Sequence, residues 1–183
     1  MKSLQEYINE SESKTDLSAN KVQPKTKDEL KEIIKDTFEH KQYDLNFIDT
    51  SKITDMSKLF INCKYNFDIS EWDVSNVTDM NHMFYDCDNF NCDLSKWNVS
   101  KVVNMFSTFS SCKKFEGKGL ENWDVSKVKD MHSMFYFCNK FDCDLSNWDV
   151  SFVSSDFGWT FYRCDKMTIP KWYMRIMNAT KYN

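Results

Sequence analysis

The sequence predicts an α/β fold, a solenoid of about five coils that each consist of a strand and a short helix, with a helical cap at both ends. Three observations predict it. A similar string returns every 24 to 26 residues, the apolar pattern within each copy changes from strand-like to helical, and amphipathic segments flank the copies. Self-similarity at such a period is typical of stacked repeat architectures.

The repeat is clearest in "WDVSNVTDMNHMFYDC", which begins at Trp72. A more divergent copy, "IDTSKITDMSKLFINC", begins at Ile48. The three other copies are "WNVSKVVNMFSTFSSC" from Trp97, "WDVSKVKDMHSMFYFC" from Trp123 and "WDVSFVSSDFGWTFYRC" from Trp148. One copy cannot bury its apolar face alone, so we expect neighbouring copies to stack and share a core.

Each copy contains two apolar patterns in series. The segment 94–100, "LSKWNVS", has the L-x-x-W-x-V spacing that favours a strand. The stripe that follows has the i, i+3, i+4, i+7 spacing of an amphipathic helix, as in Met80, Met83, Phe84 and Cys87. A residue of a type that caps helix N-termini precedes every stripe: Asp55, Asp79, Asn104, Asp130 and Asp156.

The two ends of the chain lack the repeat and define the remaining segments. Apolar residues at helical spacing in "KDELKEIIKDTFEH" predict a capping helix within residues 26–43, ahead of repeats that span 44–167. The segment "MTIPKWYMRIM" predicts a second helical cap within 168–183. Residues 1–25 are predicted to form a flexible tail, because 11–25 are polar and lack periodicity.

The pattern "WDVSxVxxMxxMFxxCxxFxxDLSxW" resembles the BspA-like leucine-rich-repeat family, a 26-residue repeat of bacterial surface proteins, over roughly residues 26–167. The resemblance implies a leucine-rich-repeat-like solenoid used for adhesion and protein binding, and it implies no reaction. The chain departs from the family in two ways. It shows no export signal, and its third copy carries the insertion "FEGKGLENW", in which Gly117 and Gly119 predict a local bulge.

Composition and charge exclude several classes of function. The formal net charge is −4 and the charges are spread along the chain, so we expect no nucleic-acid partner. No run approaches the roughly 20 apolar residues of a membrane span. The first residues, "MKSLQEYINESESKTD", lack the apolar core of a secretory signal, which favours a cytoplasmic or virion-associated protein over a secreted one. Seven cysteines without such a signal indicate reduced thiols.

A column of cysteines is the first candidate for chemistry. Its members end the helical stripes, where a cysteine acts as a small buried hydrophobe; redox chemistry and metal binding are the alternatives. The sequence has no C-x-x-C pair, zinc spacing, catalytic triad, phosphate loop or dinucleotide fingerprint. We therefore predict no enzyme, no cofactor and no metal site. The column comprises Cys63, Cys87, Cys112, Cys138 and Cys164.

A polar row along the predicted strands is the candidate binding face, and we expect a protein or a surface glycan as its partner and a monomeric chain. A calcium site in this row would need the Gly-rich turns that the chain lacks. A merely solvated scaffold is the other interpretation. If the row binds, replacing Asp124 and Asp149 by Lys should weaken capture without lowering the melting temperature. The row comprises Asp73, Ser75, Asn98, Ser100, Asp124, Ser126, Asp149 and Ser151.

The first ten residues, "MKSLQEYINE", support a second hypothesis about function. They resemble the capsid-targeting peptides of internal head proteins in some tailed phages, in which a protease cuts after an Ile/Leu-x-Glu motif. Here that motif is Ile8-Asn9-Glu10, with cleavage after Glu10. The resemblance implies a phage internal or virion-associated protein addressed by a cleavable peptide. A fraying amphipathic helix is the alternative interpretation.

Overall fold

Regular secondary structure lies mainly near the two ends of the described part of the chain. The structure, a computed structural model, describes residues 21–154 and 157–180. Helix α1 spans Lys27–Glu39 and helix α2 spans Lys171–Thr180. A single 3-10 turn, Leu120–Asn122, lies between them, and the rest of the described chain consists of turns and connecting segments.

The predicted α/β leucine-rich-repeat-like solenoid of strand-plus-short-helix coils is wrong. In the described repeats no residue belongs to an extended strand or to an α-helix. Isolated parallel bridges take the place of a sheet, and most of them join equivalent residues of successive repeats. They are Val22 with Ile48, Asp44 with Asp68, Asp55 with Asp79, Asp79 with Asn104, and Asn104 with Asp130.

The helical stripes are consecutive tight turns. In the second repeat His82 and Asp86 have φ values of 53° and 57°, and every other repeat has two positive φ values at the equivalent positions. A residue in this left-handed region cannot continue a right-handed helix. The apolar residues of the stripe are nevertheless buried, as Met80, Met83 and Phe84 show. Spacing alone therefore identified the inward side chains correctly and the backbone incorrectly.

The residues that were predicted to cap helices form local turns. Oδ1 of Asp55 accepts a hydrogen bond from the Ser57 backbone N–H at 2.7 Å, and Asp79 does the same with Asn81 at 2.8 Å. Asn104 and Asp130 repeat this arrangement with the residue two positions later. Asp and Asn favour such side chain-to-backbone bonds in turns as much as at helix starts. The fifth predicted cap, Asp156, lies outside the described residues.

Backbone hydrogen bonds join each repeat to the next. Alternate N–H groups of one repeat donate to carbonyls of the following repeat, for example Met80 to Asn104 and Phe84 to Thr108, both at 2.9 Å. The N–H groups between them close turns within the repeat, as Met83 does with the Met80 carbonyl at 3.0 Å. This division gives the buried backbone its partners without strands or helices.

The core consists of columns of equivalent side chains. Phe84, Phe109 and Phe135 stack with ring centroids 5.2 and 5.7 Å apart and nearly parallel planes. Beside them, the indole Nε1–H of each repeat tryptophan donates to a carbonyl of the preceding repeat, such as Trp97 to Ile69 at 3.1 Å. Buried indoles need such a partner, so the tryptophan column fixes the register of the repeats as well as filling the core.

The terminal helices cover the two ends of these columns. In α1, Leu30 and Ile34 are buried, and Phe38 packs 6.4 Å from Phe60 of the first repeat. In α2, the indole of Trp172 donates to the Leu145 carbonyl at 2.8 Å and thereby extends the tryptophan column. An uncovered end would expose the apolar column, so each helix shields a terminal repeat.

Before α1, Val22 hydrogen-bonds through its backbone to Phe47 and Asp49. Val22 lies within the segment that was predicted to be a flexible tail, and nothing in the sequence indicated that it would pair with the first repeat.

Candidate binding surface

The predicted polar row lies on the surface, and its acidic members form turns. Asp73, Asn98, Asp124 and Asp149 are all exposed. Oδ1 of each accepts the backbone N–H of the serine two positions later, at 2.9 to 3.1 Å. These serines are Ser75, Ser100, Ser126 and Ser151. One oxygen at every position is therefore engaged in shaping its own loop.

Asp124 and Asp149, two carboxylates of the row, keep their charge at neutral pH. Hydrogen bonds from Ser126 hold the pKa of the Asp124 carboxyl below its usual value, and bonds from Ser151 do the same for the pKa of Asp149. The negative charge of Asp149 opposes that effect at Asp124, which places the two carboxylates within reach of each other. The row is thus a mildly acidic surface, and the outer carboxylate oxygens are the acceptors that remain for a partner.

Four of the five cysteines of the column are buried and their thiols are hydrogen-bond donors, whereas Cys63 is half-buried. Sγ of Cys112 donates to the carbonyl of Phe84 at 2.9 Å, and Cys87, Cys138 and Cys164 repeat this bond with the preceding repeat. Burial raises the pKa of the Cys164 thiol to about 12 and that of the Cys112 thiol well above its ordinary value. Thiols held protonated in this way are poor nucleophiles and poor metal ligands.

A surface that the sequence analysis missed is aromatic. The position that follows the stacked phenylalanine of each repeat points outward, and in three repeats it is a tyrosine. Tyr136 and Tyr162 stack at 5.5 Å, and Trp159 meets Tyr162 edge to face at 5.0 Å. Trp159 is 57% exposed and Tyr162 is 41% exposed. We call Tyr85, Tyr136, Trp159 and Tyr162 the aromatic surface.

The third repeat interrupts this column, because Ser110 occupies the position held by Tyr85 and Tyr136 in the adjacent repeats. The missing ring leaves an open cleft of about 290 Å³. We call it the serine cleft, and it is lined by Tyr85, Ser107, Ser110, Ser133, Tyr136 and Trp159. Ser107 is 4% and Ser110 2% exposed. No hydrogen bond joins the hydroxyl of either serine to another residue in the described part of the chain.

A larger concavity of about 700 Å³ is lined by residues of several successive repeats, among them Lys64, Asn66 and Asn91. Its asparagines bond to the backbone of the next repeat, as Asn66 does with the Asn91 N–H and Asn91 with the Glu116 N–H. Lys64 in its wall pairs with Asp86 at 2.8 Å. Most of its polar groups are therefore committed to joining repeats.

Within the described residues, no group of three or more His, Cys, Asp or Glu side chains could hold a metal ion. None of the described helices is long and apolar enough to cross a membrane. The predicted cleavage after Glu10 falls outside the described residues.

Two overlapping stretches, residues 28–119 and 100–182, match the model of a family described as "Mycoplasma protein of unknown function, DUF285". Together they cover more than half of the chain. The chain belongs to the DUF285 family. No curated protein and no solved structure matches it.

Each DUF285 match follows the repeats. The first ends at Gly119 in the insertion of the third repeat, and the second begins at Ser100 in that same repeat and runs through α2. The family pattern therefore coincides with the stacked part of the molecule, including both the aromatic surface and the polar row. Membership in the DUF285 family identifies the chain as a repeat protein but does not identify an activity.

Proposed function

We propose that this DUF285 protein is a non-enzymatic repeat protein that binds another macromolecule through its aromatic surface. The observation that carries the proposal is the cluster of Tyr85, Tyr136, Trp159 and Tyr162 on one side of the stacked repeats, where three of the rings are at least 36% exposed. Tyrosine and tryptophan are enriched at protein interfaces, because they bury a large area at a small cost in conformational entropy.

The backbone at Trp159 supports the same conclusion. Its φ is 63°, a left-handed conformation that is unfavourable for a bulky side chain. The equivalent position is polar in the other repeats, as in Lys58, His82 and Ser107. Every repeat has a left-handed residue here, so the fold requires the conformation but not the ring; an exposed tryptophan at this position is therefore available for binding.

Two further observations favour binding through this surface. In the polar row, Oδ1 of Asp124 and of Asp149 already accepts a hydrogen bond from the chain itself, which leaves a partner fewer groups to contact. The repeat pattern resembles the BspA-like family, for which adhesion and protein binding are implied. The raised thiol pKa values of the cysteine column favour a binding role over nucleophilic catalysis.

The test uses the full chain against two defined probe sets, a displayed random-peptide library and an array of neutral and acidic oligosaccharides. Ligands selected by the wild-type protein should lose at least tenfold in affinity with a Trp159→Ser, Tyr162→Ser variant, because these rings are the anchors. The matched control is Phe152→Ser, which removes an aromatic side chain that is 67% exposed and has no ring contact among the described residues.

A second variant, Asp124→Asn with Asp149→Asn, removes two of the three carboxylates of the polar row while leaving an oxygen to accept each serine N–H. We expect it to bind the selected ligands as the wild-type protein does. If these ligands are instead lost with the Asn variant and retained with the aromatic variant, the partner binds the polar row and the proposal is wrong.

A further inference from the structure

We propose that the serine cleft binds one uncharged pyranose ring of a glycan. This inference rests on the proposed function and names the ligand class for the recess in the aromatic surface. The cleft exists because Ser110 replaces the tyrosine of the neighbouring repeats, so that Tyr85 and Tyr136 are separated by the space of one missing ring. A ring-shaped ligand can enter that space and contact an aromatic side chain on either side.

The size of the cleft limits the ligand to about one ring. Its volume of about 290 Å³ lies at the lower end of the range of small-molecule pockets, which is roughly 300–1,000 Å³. A dinucleotide or a flavin would project far beyond it. The cleft is open to solvent on its outer side, so a single residue of a longer chain can occupy it while its neighbours remain outside.

The polar groups of the cleft distinguish a sugar from an aromatic side chain of a protein. Ser107 and Ser110 are more than nine-tenths buried and line the cleft, with hydroxyls that have no partner in the described part of the chain. A phenylalanine or tyrosine ring seated there would bury these hydroxyls unpaired, at a cost of about 1–3 kcal/mol for each group. A pyranose ring offers a C–H face to Tyr85 and Tyr136 and hydroxyls to the serines.

The charge of the cleft favours a neutral sugar. Its lining consists of three aromatic residues and three serines, so no cationic side chain faces the ligand. Arg163 lies over the Tyr162 ring at 5.8 Å and is not part of the lining. A uronic acid, a sulfated sugar or a phosphate would lose its hydration without gaining an opposite charge.

The test titrates the full chain with cellotriose, maltotriose, mannotriose and the trimer of N-acetylglucosamine, and follows the fluorescence of Trp159 together with saturation-transfer NMR of the sugar. At least one neutral trisaccharide should bind with a Kd on the order of 1 mM, as expected for a contact made by about one ring. The fluorescence response should be absent in Trp159→Phe, while saturation transfer persists.

The decisive variant is Ser110→Tyr, which fills the cleft with the side chain that occupies this position in the neighbouring repeats. It should raise the Kd at least tenfold. Ser107→Ala with Ser110→Ala, which cannot disturb the packing in this way, should raise it about three- to tenfold through loss of the hydrogen bonds. Ser126→Ala, in the polar row, is the matched control and should leave the Kd unchanged.

Three results would overturn the assignment: no binding by any of the four neutral trisaccharides, binding that Ser110→Tyr leaves intact, or equal binding of trigalacturonic acid. Tighter binding of N-acetyl-tyrosinamide than of any sugar would also overturn it, since the cleft would then hold an aromatic side chain. In each case the proposed function stands if library ligands still depend on Trp159 and Tyr162, so the two failures are distinguishable.

Discussion

At the scale of a single residue, Gly119 is a position where both the backbone conformation and the available space require glycine. Its φ is 95°, and a Cβ at this position would lie 2.2 Å from the backbone nitrogen of Ser95 in the preceding repeat. We predict that Gly119→Ala lowers the free energy of unfolding by about 2–4 kcal/mol, because the chain must relieve both the strain and the clash. Thermal and urea unfolding will measure this.

Lys118→Ala is the control for this prediction, since Lys118 is the adjacent exposed residue and its ion pair with Asp93 lies on the surface. Such pairs contribute little to stability, so the free energy of unfolding should change much less than in Gly119→Ala. Similar losses in the two variants would mean that the insertion is not held against the second repeat.

For the polar row, the structure leads to a different prediction from the sequence, which indicated that Lys at Asp124 and Asp149 would not lower the melting temperature. Asp124→Lys or Asp149→Lys removes the oxygen that accepts a serine N–H, so each should lower the free energy of unfolding. Replacement by Asn keeps that oxygen, as Asn98 does in the third repeat with Ser100 at 3.1 Å. Unfolding of the Lys and Asn variants at pH 7 will separate the effect of charge from that of the turn.

The same pair of positions should control part of the acid sensitivity. The folded-state pKa values of Asp124 and Asp149 lie below the ordinary value of 3.8, so their ionised forms stabilise the fold above that pH. This stability is lost as the pH falls from 3.8 through the folded-state pKa. The Asp124→Asn, Asp149→Asn variant should therefore lose less stability than the wild-type protein over this interval. Identical acid titrations of stability would contradict it.

At the scale of an element, the tryptophan column makes hydrogen bonds as well as packing contacts. Trp123 is 4% exposed, and its Nε1–H donates to the Leu94 carbonyl of the preceding repeat at 3.3 Å. We predict that Trp123→Phe lowers the free energy of unfolding by about 1.5–3 kcal/mol, through loss of this bond and of buried volume. Trp159→Phe, at an exposed position, should change it by less than about 0.5 kcal/mol.

The repeating element also shows what the sequence could reveal and what it could not. The spacing of Met80, Phe84 and Cys87 correctly indicated which side chains are buried, because a series of four-residue turns and a helix both return to the same face at i+4. It could not indicate the sign of φ. Left-handed residues are usually Gly or Asn, whereas here they include Lys58 and Ser133, which carry no such signal.

The sequence did not reveal the candidate site, because the repeats were compared by the residues that they share. Tyr85, Tyr136 and Tyr162 occupy equivalent positions that the sequence displays. The polar residues that the repeats share nevertheless favoured the polar row as the binding face. The serine cleft depends on a difference between repeats, Ser110, and on the burial of that residue. Burial follows from the stacking of three repeats and cannot be read from one of them.

In the whole molecule, stability is transmitted from each repeat to its neighbours. The backbone bonds, the phenylalanine stack and the tryptophan column all connect adjacent repeats. A repeat at an end therefore has one neighbouring repeat, whereas one in the middle has two. Molecules built in this way unfold preferentially from an end whose cap has been weakened. Helix α2 is the cap on which the fifth repeat depends.

We therefore predict that Trp172→Ala weakens the fifth repeat selectively. Its indole bonds to the Leu145 carbonyl at 2.8 Å and lies 5.6 Å from the ring of Phe157. The variant should lose about 2–3 kcal/mol in the free energy of unfolding. Hydrogen exchange should lose protection first around Phe161, whereas Phe84 in the second repeat keeps its protection until global unfolding. Uniform loss across both repeats would mean that the chain unfolds as one cooperative unit and that α2 stabilises all of it equally.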